Sequence, residues 1–275
     1  MSETWSGRPE PAFAPLTPRA ILRGCLRGGG IALVVAATAC VFLPVLAVER
    51  LARTGPRWTP RLASVGFAGI VRCLGLQRIV TGRPQGDAVV ANHSSWLDVA
   101  ILYADGPVVF VSKAEVARWP VIGVMTRMCG TVFIERRRSD AALHRGLLAQ
   151  RLAAGPRVVF FPEGTSTDGQ RVLPFKTTLF AAFAAAEGRA LTIQPVGLRY
   201  DPPPGHPPEF HAWWGDMAFA PHAARVICAP KGGSVTVRYG TPVAAGSDRK
   251  ALARTLQREV RTLAVLNPPS PPEAA

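Results

Sequence analysis

A histidine and an aspartate stand five positions apart in Asn92-His93-Ser94-Ser95-Trp96-Leu97-Asp98, directly after the apolar run Ala88-Val89-Val90-Ala91. A neutral imidazole titrates near pH 6.5, so His93 is suited to take a proton from a hydroxyl. A carboxylate on its other ring nitrogen would fix the tautomer and stabilise the imidazolium. The pair is a base with its orienter, and the nucleophile is unassigned. Ser94 and Ser95 are candidates, but sequence neighbours of a histidine usually point away from it, and a hydroxyl supplied by the substrate is preferred. The plainer alternative is a structural histidine beside a helix-capping serine. Five helical positions span about 500° of rotation, and an odd separation in a strand puts two side chains on opposite faces. The two side chains therefore meet only if the chain turns between them, with His93 at a strand's end and Asp98 in a helix's first turn. Such strand-to-helix turns are where α/β sheets place their chemistry.

Three further stretches carry groups suited to an anionic or ester substrate. Gly130-Thr131-Val132-Phe133-Ile134-Glu135-Arg136-Arg137-Arg138 is a strand running into three arginines, whose forks suit a phosphate. Phe160-Phe161-Pro162-Glu163-Gly164-Thr165-Ser166-Thr167-Asp168-Gly169 leaves a buried strand for a glycine-bearing turn with N–H groups and hydroxyls able to cradle an anion or oxyanion. Lys176, in Leu173-Pro174-Phe175-Lys176-Thr177, stands at a helix start, where the helix dipole adds to its charge. Lys113 reads as a surface lysine. His144, His206, His211 and His222 read as solvated or structural.

The elements that must position these groups follow from periodicity. Residues 1–20 hold several prolines and read as a disordered lead-in. Gly28–Val48 is about 21 residues without a charge, long enough to cross a bilayer. Leu62–Leu76 is amphipathic, so residues 21–76 form a membrane-associated helical segment. Either the first helix spans, or the two form a hairpin dipping into one leaflet, which a kink at Pro44 would favour. Residues 77–266 alternate short apolar runs with helical patterns and form the catalytic domain; 267–275 is a proline-rich, disordered tail. Strands are predicted at Arg78–Thr81, Ala88–Ala91, Pro107–Ser112, Thr131–Ile134, Arg157–Phe161, Thr192–Leu198 and Ser234–Tyr239. Helices are predicted at Trp96–Tyr103, Trp119–Met128, Asp140–Ala153, Thr177–Ala186 and Asp248–Leu263. The fold class is α/β: a mixed central sheet of about seven strands flanked by helices.

A net charge of +14 suggests an anionic partner, and without a nucleic-acid-binding signature that partner is a membrane surface or a phosphorylated substrate. The five cysteines are scattered without metal-ligand spacing, which predicts reduced thiols facing the cytosol, no metal and no disulfide framework.

Taken in order, His93…Asp98, Gly130…Phe133-Ile134-Glu135-Arg136, Phe161-Pro162-Glu163-Gly164-Thr165 and Gln194-Pro195-Val196 resemble the four motif blocks of the glycerolipid acyltransferases, over about Gln77 to Val243. The nearest branch is the bacterial 1-acyl-sn-glycerol-3-phosphate acyltransferases. The resemblance implies acyl transfer from a thioester, acyl-CoA or acyl-ACP as co-substrate, to a lysolipid hydroxyl without an acyl-enzyme and without a cofactor. It makes His93 the general base and Asp98 its orienter. It assigns Arg136 to the acceptor's phosphate, Glu163, Gly164 and Thr165, behind Phe161 in the same block, to the acceptor, and Pro195 to the pocket's shape. Ser166 stands where many members carry arginine. The Thr-Ser-Thr-Asp-Gly form, with Trp213-Trp214-Gly215-Asp216-Met217, resembles a branch that includes lyso-ornithine lipid acyltransferases, whose acceptor has an amino acid head group and no phosphate.

The expected reaction is acylation of the sn-2 hydroxyl of 1-acyl-sn-glycerol-3-phosphate to phosphatidic acid; O-acylation of lyso-ornithine lipid is the alternative. The expected partners are membrane lipids, the lysolipid and the acyl carrier, with no nucleic acid, at the bacterial inner membrane with the catalytic domain on the cytoplasmic side. A non-catalytic lipid-binding protein has no use for a base and orienter at this spacing. A serine hydrolase using Ser94 or Ser95 lacks the Gly-x-Ser-x-Gly elbow.

Overall fold

The computed structural model describes residues 5–11, 13, 15–114, 117, 123, 130–134, 146, 157–178, 180, 183, 191–231, 233–246 and 248–265. The predicted helices at Trp119–Met128 and Asp140–Ala153, nearly all of that at Thr177–Ala186, Arg136 and the tail lie outside the described residues.

Eight strands form one mixed sheet: β1 (Gln77–Thr81), β2 (Ala88–Ala91), β3 (Val108–Lys113), β4 (Val132–Ile134), β5 (Arg157–Phe160), β6 (Thr192–Asp201), β7 (Ser234–Tyr239) and β8 (Val243–Ala244). Their order is β1-β7-β6-β2-β5-β3-β4, with β8 beside the start of β6. The five strands β6, β2, β5, β3 and β4 run parallel, and β7 and β8 run antiparallel to β6. The C-terminal ends of the five parallel strands therefore share one edge.

Strand β2 lies at the centre and is buried along its whole length, as expected of a parallel strand covered on both faces. Its side chains alternate between two cores. Val89 and Ala91 join Phe67, Ile101 and Tyr103 from α2 (Thr59–Cys73) and α3 (Leu97–Ala104). Ala88 and Val90 join Phe160, Phe180 and the Leu252, Leu256 and Val260 stripe of α5 (Arg249–Val265). The two cores hold β2 at the sheet's centre, and His93, two residues past its end, lies at the edge where the parallel strands finish.

The apolar segment is a continuous helix α1 (Pro18–Leu51) of 34 residues, about 50 Å at 1.5 Å per residue. Thr17 caps it, accepting the Ala20 N–H at 3.3 Å. The helix continues through Pro44, so the turn falls after Leu51, where α2 packs back on α1 as a hairpin. Glu49 fixes the turn by accepting the N–H groups of Arg57, Trp58 and Thr59 at the start of α2. Small residues permit the approach. A Cβ on Gly66 would lie 2.9 Å from Thr38 Oγ1, and one on Gly69 would lie 2.8 Å from Val34 Cγ1. α1 is long and apolar enough to cross a membrane, and most of that stretch is exposed.

Helix α4 (Phe219–Cys228) was not foreseen. It carries Pro221 in its first turn, a position that tolerates proline but weakens the helical pattern in the sequence. Its C-terminal carbonyls receive α1. Arg23 donates to Cys228 O from Nε at 3.1 Å and from NH2 at 2.9 Å, and Arg27 NH1 donates to Ala229 O at 2.7 Å and Ile227 O at 3.1 Å. Cations at a helix C-terminus are favourable, so the apolar hairpin is tied to the α/β domain by charge. The lead-in is also not free chain: residues 5–13 make contacts described below. The histidines at 211 and 222 are buried, not solvated.

Candidate active site

The chain leaves β2 at Ala91, turns at residues 92–96 and enters α3 at Leu97. The turn is braced on all sides. Asn92 exchanges two hydrogen bonds with Leu198, donating to its carbonyl at 2.9 Å and accepting its N–H at 2.8 Å. Ser94 O accepts the Trp213 N–H at 2.7 Å, and His93 O accepts the Thr167 N–H at 3.0 Å. Within this frame His93 Nδ1 lies 2.8 Å from Asp98 Oδ2, the contact the spacing required.

Asp98 is fully buried, and its carboxylate is satisfied by four donors. Oδ2 accepts the Ser94 N–H at 2.9 Å, the Ser95 N–H at 3.0 Å and His93 Nδ1–H; Oδ1 accepts the Tyr200 hydroxyl at 2.6 Å. A carboxylate so held acts as an acceptor, which places the proton of neutral His93 on Nδ1 and leaves Nε2 with its lone pair. The imidazole stacks on Phe161, with ring centroids 4.1 Å apart and planes 15° from parallel. The His93 side chain is 23% exposed against 0% for Asp98, so the imidazole reaches solvent and the carboxylate does not. Tyr200 is the residue sequence reasoning missed. It lies on β6, distant in sequence, and a tyrosine ending an apolar strand carries no signal that its hydroxyl is committed. Burial and the Asp98 carboxylate raise its pKa well above the ordinary tyrosine value.

The loop after β5 packs against the same turn. Glu163 is 1% exposed. Its Oε1 accepts the His93 N–H at 2.8 Å and its Oε2 accepts the Leu173 N–H at 2.7 Å, so both oxygens are engaged by the protein's own backbone. Burial pushes its pKa up to about 8 against the lowering by those two donors. Gly164 has φ of +73°, and a Cβ there would lie 2.9 Å from Lys176 Nζ, so glycine serves both the backbone and the lysine crossing it. Lys176 is exposed, its backbone N–H held by Pro162 O at 2.8 Å. Thr165 is half-buried. Asp168 is fully buried and takes Arg171 in a two-point pair, Nε to Oδ1 at 3.1 Å and NH2 to Oδ2 at 2.9 Å.

His93, Asp98, Phe161, Glu163, Gly164, Thr165 and Lys176 thus gather at one sheet edge. Pro195 does not join them: it pairs with Val90 inside the sheet, and its carbonyl accepts the Gly240 N–H at 2.9 Å where β6 passes from β8 to β7. Arg136 follows β4, whose C-terminal end is on the dyad's edge, but lies outside the described residues. Lys113 ends β3. Ser94 and Ser95 are 1% and 0% exposed, which removes both as nucleophiles.

A partly exposed imidazole held by a buried carboxylate stands at the C-terminal edge of a mixed sheet, an arrangement able to accept a proton from a hydroxyl. Comparison with known proteins agrees. A family model described as Acyltransferase matches residues 75–199. The lyso-ornithine lipid O-acyltransferase of Rhodobacter capsulatus is 44% identical over 264 residues, covering 94% of this chain and 96% of that one. The 1-acyl-sn-glycerol-3-phosphate acyltransferase of Neisseria meningitidis is 41% identical over 119 residues, 42% of this chain and 45% of that one. The crystal structure of the 1-acyl-sn-glycerophosphate acyltransferase of Thermotoga maritima superposes with a TM-score of 0.61 at 19% identity, over 88% of this chain and 95% of that one. The chain belongs to the acyltransferase family, and it is an O-acyltransferase acting on lysolipids.

Proposed function

We propose that the acceptor is a lyso-ornithine lipid, or a lysolipid with a similar amino acid head group, acylated from an acyl thioester at a membrane surface. The observation that carries this reading is the layer beside the dyad. The Thr165–Gly169 loop and the Trp213–Met217 block both bond to the backbone of the catalytic turn, at His93 O and Ser94 O. Among the described residues, two guanidinium groups near this loop are already neutralised: Arg171 pairs with Asp168, and Arg8 pairs with Glu209. Ser166 stands where a phosphate-binding arginine would be expected. Lys176 remains exposed at the loop, suited to a carboxylate. Similarity to the Rhodobacter relative along nearly the whole chain supports the same acceptor.

In the proposed step the lysolipid hydroxyl attacks the thioester carbonyl while His93 Nε2 takes its proton. The tetrahedral intermediate collapses with loss of the thiolate, which recovers that proton from the imidazolium. Asp98 stabilises the charged ring throughout. Coenzyme A or acyl carrier protein supplies the acyl group. The α1–α2 hairpin holds the domain at the inner membrane's cytoplasmic side, where the chain's positive charge meets anionic headgroups.

A second reading has 1-acyl-sn-glycerol-3-phosphate as acceptor, giving phosphatidic acid. Arg136, two residues beyond β4, favours it through its affinity for phosphate, and the Neisseria relative does so over part of the chain. Purified full-length protein given labelled acyl-coenzyme A and each lysolipid separately separates the two. A kcat/KM at least tenfold higher for lyso-ornithine lipid is expected, with His93→Ala removing turnover by about 10²–10⁴-fold. Preference for the phosphorylated acceptor would reverse the assignment, and retained turnover in His93→Ala would remove the base.

A further inference from the structure

The described residues between Trp5 and Phe13 are neither in the α/β core nor in the hairpin, yet Trp5 and Arg8 reach the acceptor loop. The Trp5 N–H donates to Thr165 Oγ1 at 3.2 Å. The Trp5 ring lies 6.1 Å from the Trp214 ring, and the Arg171 guanidinium carbon sits 5.1 Å above the Trp5 ring. Arg8 pairs with Glu209 and reaches to 3.8 Å from Asp168, and its carbonyl accepts Trp214 Nε1–H at 3.2 Å. Phe13 meets Phe210 edge-on at 6.0 Å and carries Arg225 of α4 over its face at 4.4 Å. Pro18 then begins α1. The chain therefore runs as a strap from the loop beside the base to the membrane helix.

What it grips is informative. Thr165 and Asp168 belong to the loop whose other members, Glu163 and Thr167, bond to the backbone of His93. Arg171 is bound at once to Asp168 and to the Trp5 face, so loop and strap share one cation. A hydroxyl engaged by a fixed N–H has one fewer direction open to a ligand, so the strap decides what Thr165 can offer a head group.

The geometry points to Trp5–Arg8 as a working wall of the acceptor site. It holds the Glu163–Gly169 loop in its acceptor-binding form and sets the affinity for the lysolipid head group, without contributing to the chemistry at His93. This rests on the lysolipid acceptor reading above. Strap residues are positioning residues, and their loss shows in acceptor KM.

Three full-length variants test it. Trp5→Pro removes both the N–H and the ring, Trp5→Ala removes the ring alone, and Arg8→Ala removes the pin to Glu209 and Asp168. Arg8 is 51% exposed, so that variant folds even if the others do not. With lyso-ornithine lipid and acyl-coenzyme A, acceptor KM is expected to rise at least tenfold in Trp5→Pro and about threefold to tenfold in the other two. Donor KM and kcat stay within twofold. Acceptor KM within twofold of wild type in all three, or equal rises for donor and acceptor, would overturn the role.

Hydrogen exchange of the 163–169 amides, measured without substrate, gives a readout that needs no turnover. Exchange at least tenfold faster in Trp5→Pro supports the strap, and unchanged exchange overturns it. Wild-type protein that acylates no lysolipid would instead remove the acceptor reading.

Discussion

At the residue scale the site depends on a carboxylate fixed inside the protein by its donors. Asp98 is fully buried, a costly place for a charge unless every lone pair is met. Three of its donors come from its own turn, and only Tyr200 comes from elsewhere in the chain. Tyr200→Phe keeps the ring's packing and deletes one donor at 2.6 Å. It leaves Oδ1 unsatisfied, at a cost of about 1–3 kcal/mol. It also lets the carboxylate rotate away from the angle that holds His93. The expected outcome is a kcat lowered about 10–100-fold with both KM values within threefold. Steady-state kinetics of the purified variant check this. Unchanged kcat would make Tyr200 a packing residue. The loss should vanish when Tyr200→Phe is added to an Asp98→Asn enzyme, because the two act as one unit.

At the element scale the sheet was legible, and the elements held by distant partners were not. All seven expected strands are present because apolar runs bounded by turns are what a parallel sheet buried on both faces requires. The meeting of His93 with Asp98 was legible for the same reason: only a strand end followed by a helix start brings residues of that spacing together. β8, with two residues, has no pattern to read. α4 was hidden by its early proline, and the strap by a composition that reads as disorder. Each of these is decided by distant partners such as Thr165, Trp214 and Arg23, which local periodicity cannot report. A kink at Pro44 would have favoured the hairpin, but the hairpin forms without one: α1 continues through Pro44, and Glu49, accepting N–H groups at the start of α2, fixes the turn after Leu51. The hairpin's seam predicts its own failure. Gly69→Leu places a side chain where even a Cβ would stand 2.8 Å from Val34, so α1 and α2 must part. Thermal unfolding in detergent should show a loss of about 1–3 kcal/mol. Val65→Ala, on the exposed face of the same helix, should show almost none. Equal effects would mean that the two helices do not pack in this register.

At the scale of the whole molecule, buried histidines and carboxyls among the described residues make stability depend on pH. His211 and His222 are pushed down to about 4, chiefly by burial, with neighbouring histidines adding to the effect at His211. His222 Nδ1 accepts from Trp96 Nε1 at 3.1 Å, a bond that requires an unprotonated nitrogen. Between pH 4 and 6.5 the unfolded chain binds these two protons and the folded chain does not, so stability is lost as the pH falls. Glu163 works in the other sense. Its usual value near 4.5 is raised to about 8, so between these the folded state holds a proton the unfolded state has released, and stability is lost as the pH rises. Asp105, raised by burial, acts in the same direction as Glu163, and Asp248, lowered by the N–H groups of Ala251 and Lys250, acts only at the acid end. From pH 4.5 to 6.5 the two histidines outweigh Glu163, and above 6.5 they no longer oppose it. The unfolding free energy in detergent should therefore peak near pH 6.5 and fall by about 1.4 kcal/mol per pH unit on either side. Glu163→Gln should flatten the alkaline limb and steepen the acid limb, whereas His222→Gln should level the acid limb between pH 4.5 and 6.5 and leave the alkaline limb in place. An unfolding free energy that keeps rising from pH 6.5 to 8 would show that the two backbone donors, and not burial, govern Glu163.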